Sequence, residues 1–243
     1  MSDFVNTIDL LGDEAVTKDL VEGTITEFND DTIDEIVKYA FYRHPSLQSV
    51  NFPNATLIND YAFYSSALVS VNAPKVTKAN ISAFHYCSAL TSVNLPNLFG
   101  VPQNGFSMCN ALTKITLPNV TSLGINAFNG CSALEIADFP TLQRTQSSSF
   151  SGCSKLSVLI LRSETIAGLG NSNTLSGTPF ASGKAGGTLI VPRSLTTEYP
   201  NATNWSAVFA NNANNRILAL EDYTVDGTIT GEIDWDKLLG GTT

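Results

Sequence analysis

A phenylalanine recurs along the chain at a nearly constant interval, and this period constrains the fold more than any other feature of the sequence. The successive steps are 22, 21, 22, 22 and 22 residues. The residues are Phe41, Phe63, Phe84, Phe106, Phe128 and Phe150. Five prolines keep the same interval, namely Pro53, Pro74, Pro96, Pro118 and Pro140. A fixed period of this length is typical of repeat architectures, in which each unit packs mainly on its neighbours.

Each unit also repeats its apolar positions. Leu90, Val93 and Leu95 stand before Pro96, and similar residues stand before the other prolines. The pattern L-x-x-V-x-L-P predicts a short strand, which proline ends because it has no N–H to donate to the next strand. The segment A-F-x-x-C-x-x-L is predicted to turn the chain back with its phenylalanine inside. Because one unit cannot bury its own apolar face, the sequence predicts a parallel repeat solenoid, mainly β with short helical turns.

The period divides the chain into four segments. Residues that do not fit the repeat are predicted to cover the two ends of the solenoid. The predicted segments are an N-terminal cap over residues 1–35, a solenoid of about seven units over 36–192 with a loop insertion near 163–178, a C-terminal cap over 193–221 and an acidic tail over 222–243.

The C-terminal part of the repeat region is less regular. The insertion is rich in glycine and serine and is predicted to be a surface loop. The segment TLIVP after it predicts the strand of a degenerate seventh unit. The cap is predicted to contain two short helices, with Ser194 as an N-cap and with Trp205 and Phe209 covering the last coil. RILALE predicts a closing strand.

The acidic tail carries four apolar residues that look exposed in the sequence, Ile233, Trp235, Leu238 and Leu239. Its segment VDGTIT also resembles VEGTIT near the N-terminus. Two interpretations are open. In the first, each end forms an edge strand of the same kind. In the second, the tail of one molecule docks on another and allows self-association.

The overall charge excludes some classes of partner. The chain has 13 basic and 22 acidic residues, a formal charge of -9 and a pI of about 4.6. This balance opposes binding to nucleic acid and to anionic lipid. The first residues lack the pattern of a signal peptide, and no segment has the roughly 20 apolar residues that a membrane span requires. The sequence by itself leaves the localisation unknown.

The four cysteines raise the question of catalysis or metal binding. Cys87, Cys109, Cys131 and Cys153 are spaced by 22 residues, which is the repeat period. Zinc sites use close pairs such as C-x2-C, so this spacing predicts no metal site. In a solenoid the four thiols would lie one per coil and pack as small apolar groups. A disulfide between neighbouring coils would be strained because the Cβ vectors run parallel.

Other candidate chemistry is weaker. His44 stands where later units have cysteine and is predicted to be a partly buried substitute for it, while His85 is predicted to face solvent on a turn. The acidic residues between Asp30 and Glu35 lack the alternating ligand pattern of a calcium loop. We therefore predict no catalytic residue, no cofactor and no metal.

The best candidate for function is a surface. In each strand the residues between the buried positions point outward and align from coil to coil. The predicted face comprises Ser49, Asn51, Ser70, Asn72, Ser92, Asn94, Lys114, Thr116 and Asp138. Short Ser and Asn side chains form hydrogen bonds while losing little entropy. The face is predicted to bind a protein or a glycan, with a plain soluble β-face as the open alternative.

The units AFHYCSALTSVNLPNL, AFNGCSALEIADFP and SFSGCSKLSVLIL resemble the BspA-like leucine-rich repeats of bacteria. The resemblance covers residues 36–192, and TLIVPRSLTTEYPNATNW is similar to the closing segment of that family. It implies a right-handed leucine-rich-repeat coil of about 22 residues that serves in binding, commonly in cell-surface or extracellular proteins of host-associated microbes. The family has no catalytic residues to carry over. Many members carry an export signal, which this chain does not show.

Three functional hypotheses follow. The first is a non-enzymatic leucine-rich-repeat module with a rigid surface for protein or glycan recognition. The second is a structural or assembly component, as in a phage-like or surface particle, joined through its N- and C-terminal segments. The third, a hydrolase or a thiol enzyme, is the least favoured because no constellation of residues supports it.

Overall fold

The computed structural model describes residues 23–171 and 173–240, where short strands recur in every coil. The strands are β1 (Glu27–Asn29), β2 (Glu35–Ile36), β3 (Ser49–Asn51), β4 (Leu57–Ile58), β5 (Ser70–Asn72), β6 (Lys78–Ala79), β7 (Ser92–Asn94), β8 (Gly100–Val101), β9 (Lys114–Thr116), β10 (Ser122–Leu123), β11 (Ile136–Phe139), β12 (Arg144–Thr145), β13 (Val158–Leu161), β14 (Thr188–Val191) and β15 (Arg216–Ala219). The α-helices of the same residues are α1 (Trp205–Asn211) and α2 (Trp235–Leu239).

The strands form two rows along the solenoid. The first row contains the sheets β1-β3-β5-β7 and β9-β11-β13-β14-β15, and the second row contains β2-β4-β6 and β8-β10-β12. Neighbouring strands are parallel in both rows, and equivalent residues pair, as Ser49 does with Ser70 and Ser70 with Ser92. The predicted parallel solenoid with a repeat of about 22 residues is confirmed.

Proline limits the length of the early first-row strands. In β5 and the residue after it, Val71 and Ala73 are buried while Ser70 and Asn72 point away from the core. The Ala73 N–H still donates to the Asn94 carbonyl at 3.1 Å, and Pro74 then ends the ladder because it has no N–H. The two side-chain directions of a strand thus separate the core from the candidate surface.

The recurring phenylalanines form a continuous column inside the solenoid. All six rings are at most 1% exposed. The centroids of Phe63 and Phe84 are 5.2 Å apart, those of Phe84 and Phe106 are 5.0 Å apart, and those of Phe106 and Phe128 are 5.4 Å apart. The rings of each of these pairs lie within 6° of parallel. The column joins successive coils into one hydrophobic core.

Each turn around a core phenylalanine contains two left-handed residues, two positions before and two positions after the ring. In the later coils these positions include Asn104, Asn126, Gly130 and Gly152, with φ between 55° and 71° for the first three. Asparagine and glycine adopt this conformation readily. In the first three repeat coils the same positions include tyrosines, at Tyr39, Tyr61 and Tyr86.

The left-handed conformation costs a bulky residue about 1 kcal/mol or more relative to glycine. A stacked pair of aromatic rings returns about 0.5–1.5 kcal/mol. The two effects are of similar size, so a tyrosine at this position is close to neutral for stability. The turn itself therefore gives no reason to prefer tyrosine over asparagine or glycine.

The middle of the segment 163–178 is not a surface loop. Leu169 and Leu175 are buried, and Gly168 forms a parallel bridge with Arg144 that extends the second row. The Phe150 N–H donates to the Thr174 carbonyl at 3.0 Å, as the turns of regular coils do. The sequence analysis expected a loop because this segment is rich in glycine and loses the apolar period. Its two leucines nevertheless reach the core.

The residues after the last repeat coil form the predicted closing strand but not the predicted helix N-cap. Strand β15 pairs in parallel with β14, which confirms the closing strand. The Trp205 indole is buried and donates to the Ala167 carbonyl at 2.8 Å. Ser194, however, lies inside a 3-10 helix, Arg193–Leu195, whose N-cap is Pro192. The predicted N-cap was wrong because this helix begins at Arg193, directly after proline, which places its N-cap two residues before Ser194.

The first row of strands begins before residue 36, the predicted start of the solenoid. Strand β1 pairs with β3 in register, so that Asn29 lies beside Asn51. Residues 1–22, which make up most of the predicted N-terminal cap, lie outside the described residues. They include Val21 and Glu22 of the VEGTIT segment. The division of the chain into two caps, a solenoid and a tail stays a prediction.

Replacing one ring of the column tests its contribution to stability. We expect Phe106→Ala to lower the free energy of unfolding by about 3–5 kcal/mol, because it removes a fully buried ring and its contacts with two neighbouring rings. Phe99→Ala is the matched control, since Phe99 is 60% exposed, and it should change stability by less than about 0.5 kcal/mol. Urea unfolding followed by circular dichroism measures both. Equal effects of the two substitutions would contradict the role given to the column.

Candidate binding surface

The outward side chains of the first four first-row strands form two parallel columns, which we call the Ser/Asn ladder. The ladder consists of Ser49, Ser70 and Ser92 in one column and of Asn29, Asn51, Asn72 and Asn94 in the other. Asn51, Asn72 and Asn94 each donate from Nδ2 to Oδ1 of the asparagine in the preceding coil, as Asn72 does to Asn51 at 2.6 Å. The sequence analysis did not include Asn29, although its spacing of 22 residues from Asn51 was the available signal.

The Ser/Asn ladder leaves hydrogen-bonding capacity for a ligand. Each Asn amide has two N–H donors, of which one is used between coils, and each Oδ1 has a second lone pair. Within the described part of the chain, the hydroxyls of Ser49, Ser70 and Ser92 have no side-chain hydrogen bond. The amide chain fixes the asparagine rotamers before any ligand arrives, which lowers the entropy that binding would cost.

The continuation of this face past β7 differs. Thr116 is exposed, and the Lys114 ammonium lies 3.3 Å from the centroid of the Trp235 ring. Partial desolvation lowers the pKa of Lys114, against the opposing effect of the Asp138 carboxylate. Asp138 belongs to the same face by register but is only 2% exposed, so it is not accessible to a partner.

Asp138 is held in a buried ion pair. The Arg162 guanidinium donates to both of its carboxylate oxygens, from Nε at 3.2 Å and from Nη2 at 2.7 Å. Nη1 of the same arginine donates to the Gly231 carbonyl at 2.7 Å. Arg162 therefore connects Asp138 of the solenoid to Gly231 of the tail.

The tail covers the apolar end of the first row. Val158 and Ile160 on β13 and Ile190 on β14 form a second hydrophobic cluster with Ile233 of the tail and Leu220. Ile233 is 4% exposed, and of the four apolar tail residues only Leu239 is exposed, at 61%. The expectation that all four lie exposed was wrong because three outward residues of β11 and β13 are apolar, namely Ile136, Val158 and Ile160, and the tail covers them.

The tail contacts its own chain and does not add an edge strand. Thr224 and Ile233 form an antiparallel bridge, and the residues between them make turns. The Asp226 carboxylate accepts hydrogen bonds from the Thr228 N–H and hydroxyl, which lower the pKa of Asp226. The VDGTIT segment is thus a turn in this protein, and the edge-strand interpretation is wrong for this end.

The cysteines form a second buried column beside the phenylalanines. All four are free and fully buried, which confirms the predicted packing. Each Sγ donates to the carbonyl of a phenylalanine in the preceding coil, as Cys131 does to Phe106 at 3.0 Å and Cys153 to Phe128 at 3.0 Å. Burial raises the pKa of Cys87 to about 12. A thiol in this environment is a poor nucleophile at neutral pH.

The histidines also lie in structural positions. His44 is fully buried in the place that cysteine takes later, and its Nδ1 accepts from the Leu47 N–H at 3.1 Å. Burial lowers its pKa to about 4. His85 is half-buried and stacks on Tyr86 with centroids 4.2 Å apart. Burial lowers the pKa of His85 as well.

Residues 23–171 and 173–240 contain neither a metal-binding cluster nor a helix that could span a membrane. No group of three or more His, Cys, Asp or Glu side chains in them is arranged to hold a metal ion. In the same residues no helix is long and apolar enough to cross a bilayer.

The repeats match the model of a known repeat family. The model of the BspA type leucine-rich repeat region matches the chain with six copies, over residues 23–101 and 77–174. Together these matches cover more than half of the chain. None of the curated proteins matches it significantly.

Several solved bacterial structures are similar in fold. A leucine-rich repeat protein from Eubacterium ventriosum is 24% identical with a TM-score of 0.56, over 64% of this chain and 43% of that one. The pneumococcal vaccine antigen PcpA is 14% identical with a TM-score of 0.50, over 80% of this chain and 41% of that one. The T. pallidum leucine-rich repeat protein is 24% identical with a TM-score of 0.45, over 46% and 58%. The chain thus spans less than two thirds of each of these proteins.

The thiols provide a direct test of the packing role. We expect none of the four cysteines to react rapidly with Ellman's reagent in the native protein at pH 8, because burial keeps the reagent from their sulfur atoms. All four should react at once in guanidinium chloride. Modification of one cysteine within seconds in the native state would instead identify an activated thiol and contradict the packing role.

The buried ion pair predicts a strong asymmetry between substitutions. Arg162→Met should lower the free energy of unfolding by about 3–5 kcal/mol, because it leaves the Asp138 carboxylate buried without a partner. The double variant Asp138→Asn/Arg162→Met should recover part of this loss. Lys155→Met is the control, because Lys155 pairs with Glu135 on the surface at 3.9 Å and such pairs contribute little. Urea unfolding measures all three, and an Arg162→Met variant as stable as the control would be the contrary result.

Proposed function

The chain belongs to the BspA-type leucine-rich repeat family, and on this premise we propose that it is a non-enzymatic binding module that recognises a protein or glycan ligand through the Ser/Asn ladder. The observation that carries the proposal is the contrast along one face. The tail covers the apolar first-row residues from β11 onward, whereas Ser92, Asn94 and Thr116 are exposed.

The chemistry of the ladder supports hydrogen-bonded recognition. Its side chains are short, uncharged and held in register by the parallel strands, so donors and acceptors recur at the strand spacing of about 4.8 Å. An extended ligand lying along the solenoid axis meets the same pair of side chains in each coil. The asparagine chain also orders these groups before binding, which reduces the entropy lost.

The alternative, an assembly component joined through its terminal segments, has less support. The tail makes its contacts within its own chain, through the Arg162 hydrogen bond to Gly231 and the burial of Ile233. Joining two molecules through it would require these contacts to open first.

Two double variants test whether the Ser/Asn ladder binds the ligand. One lengthens side chains on the first row, and the other lengthens side chains next to the second row. We expect Ser70→Gln/Ser92→Gln to weaken ligand binding at least about tenfold, because the longer side chains occupy the outward face of β5 and β7. Thr56→Gln/Thr77→Gln, on the exposed residues before the second-row strands, should leave binding unchanged. Glycan arrays and random-peptide display on the wild-type protein supply the ligands.

The same ligands are then measured against both variants by surface plasmon resonance. Ligands that bind both variants as tightly as wild type, or that lose affinity equally in both, would show that the ladder is not the recognition face. Circular dichroism melting confirms that each variant is folded before its binding is compared.

A further inference from the structure

Tyrosine is concentrated in one region of the surface. The chain has seven tyrosines, and five of them lie on the turns of the first three repeat coils. We call these five residues, together with His85, the tyrosine surface: Tyr39, Tyr42, Tyr61, Tyr64 and Tyr86. It follows the second-row strands and shares no residue with the Ser/Asn ladder.

The turn does not account for these side chains. Tyr39, Tyr61 and Tyr86 hold the left-handed conformation, with φ of 62°, 56° and 62°. The equivalent positions of the later coils hold asparagine, serine or glycine, which adopt it more easily, with the single exception of Met108. A bulky residue retained at a disfavoured backbone conformation points to a role outside the fold itself.

Stacking determines which part of each ring faces outward. Tyr39 stacks on Tyr61 with centroids 5.4 Å apart, and Tyr42 stacks on Tyr64 with centroids 5.1 Å apart. One face of each of these four rings is therefore used between coils, which leaves their edges and hydroxyls toward a ligand. Ring edges carry the positive part of the aromatic quadrupole. Within residues 23–171 and 173–240 the five hydroxyls have no hydrogen-bond partner, so their O–H groups are available to acceptors.

Two cations flank the tyrosine surface. The Arg43 guanidinium lies 5.4 Å from the Tyr42 centroid, and the Lys38 ammonium lies 5.0 Å from the Tyr39 centroid. Lys38 also pairs with Asp60 at 3.9 Å, whereas Arg43 is exposed and forms no ion pair within the described residues. In a chain of net charge -9, this region presents positive ring edges, O–H donors and an unpaired cation.

We propose that the tyrosine surface docks an acidic segment of a protein partner. Carboxylates accept hydrogen bonds from tyrosine O–H groups and pair with Arg43, so their charge is complementary to what this surface presents. Tyrosine and arginine are also the residue types that dominate the binding energy of protein interfaces. A sugar would stack on open ring faces, and the stacking between coils already uses one face of Tyr39, Tyr42, Tyr61 and Tyr64.

Selection from a random-peptide display library tests this docking. The library is selected on the full chain, on Tyr61→Asn/Tyr86→Gly and on Met108→Gly. The double variant introduces residues that Asn126 and Gly130 already provide at the equivalent positions of a later coil, so the turns are retained. Met108→Gly is the matched control, because Met108 holds the position of Tyr86 one coil further along.

We expect the peptides recovered on wild type to be enriched in Asp and Glu and to bind Met108→Gly equally well. Their affinity for Tyr61→Asn/Tyr86→Gly should fall at least about tenfold, and for Arg43→Gln severalfold, with the Arg43→Gln loss smaller at high salt. Neutral or basic peptides, or acidic peptides that bind the double variant undiminished, would overturn the proposal. So would a glycan whose binding is lost in the double variant when no acidic peptide is selected.

Discussion

The structure depends on the in-register stacking of its coils. Backbone hydrogen bonds join each coil to the next in both strand rows and also in the turns, where the Phe63 N–H donates to the Ala83 carbonyl and the Phe84 N–H to the Gly105 carbonyl. These contacts keep equivalent residues directly above one another, so every position of the repeat becomes a column. The chemistry of a column is then set by whichever residue type the sequence repeats there.

Columns of four residue types have different roles in the protein. Phenylalanine and cysteine columns fill the interior, where stacked rings and thiol-to-carbonyl hydrogen bonds link neighbouring coils. The asparagine column places polar groups outside the first row, and the tyrosine rings place aromatic groups on the turns. The first-row column changes from polar to apolar at β11, and the tail supplies the cover that this change requires.

The sequence predicted those features that follow from the period and failed for those that depend on distant side chains. The first-row strands, the core phenylalanines and the buried cysteines were predictable because each repeats at a fixed interval. The contact of Arg162 with Gly231 joins residues 69 positions apart and follows no period, so the cover over Ile160 and Asp138 could not be foreseen. Leu169 and Leu175 were missed because their coil is longer than the others, so that these two leucines do not fall at the repeat interval.

The cysteine column makes the core indifferent to the redox conditions around the protein. Burial keeps oxidants from the sulfur atoms, and it raises the pKa values of Cys87 and Cys109, which keeps both in the unreactive thiol form. The thiol hydrogens are also engaged with phenylalanine carbonyls. Four reduced cysteines in this arrangement are therefore as compatible with an oxidising medium as with a reducing one, and the repeat retains its thiols without the help of a reducing compartment.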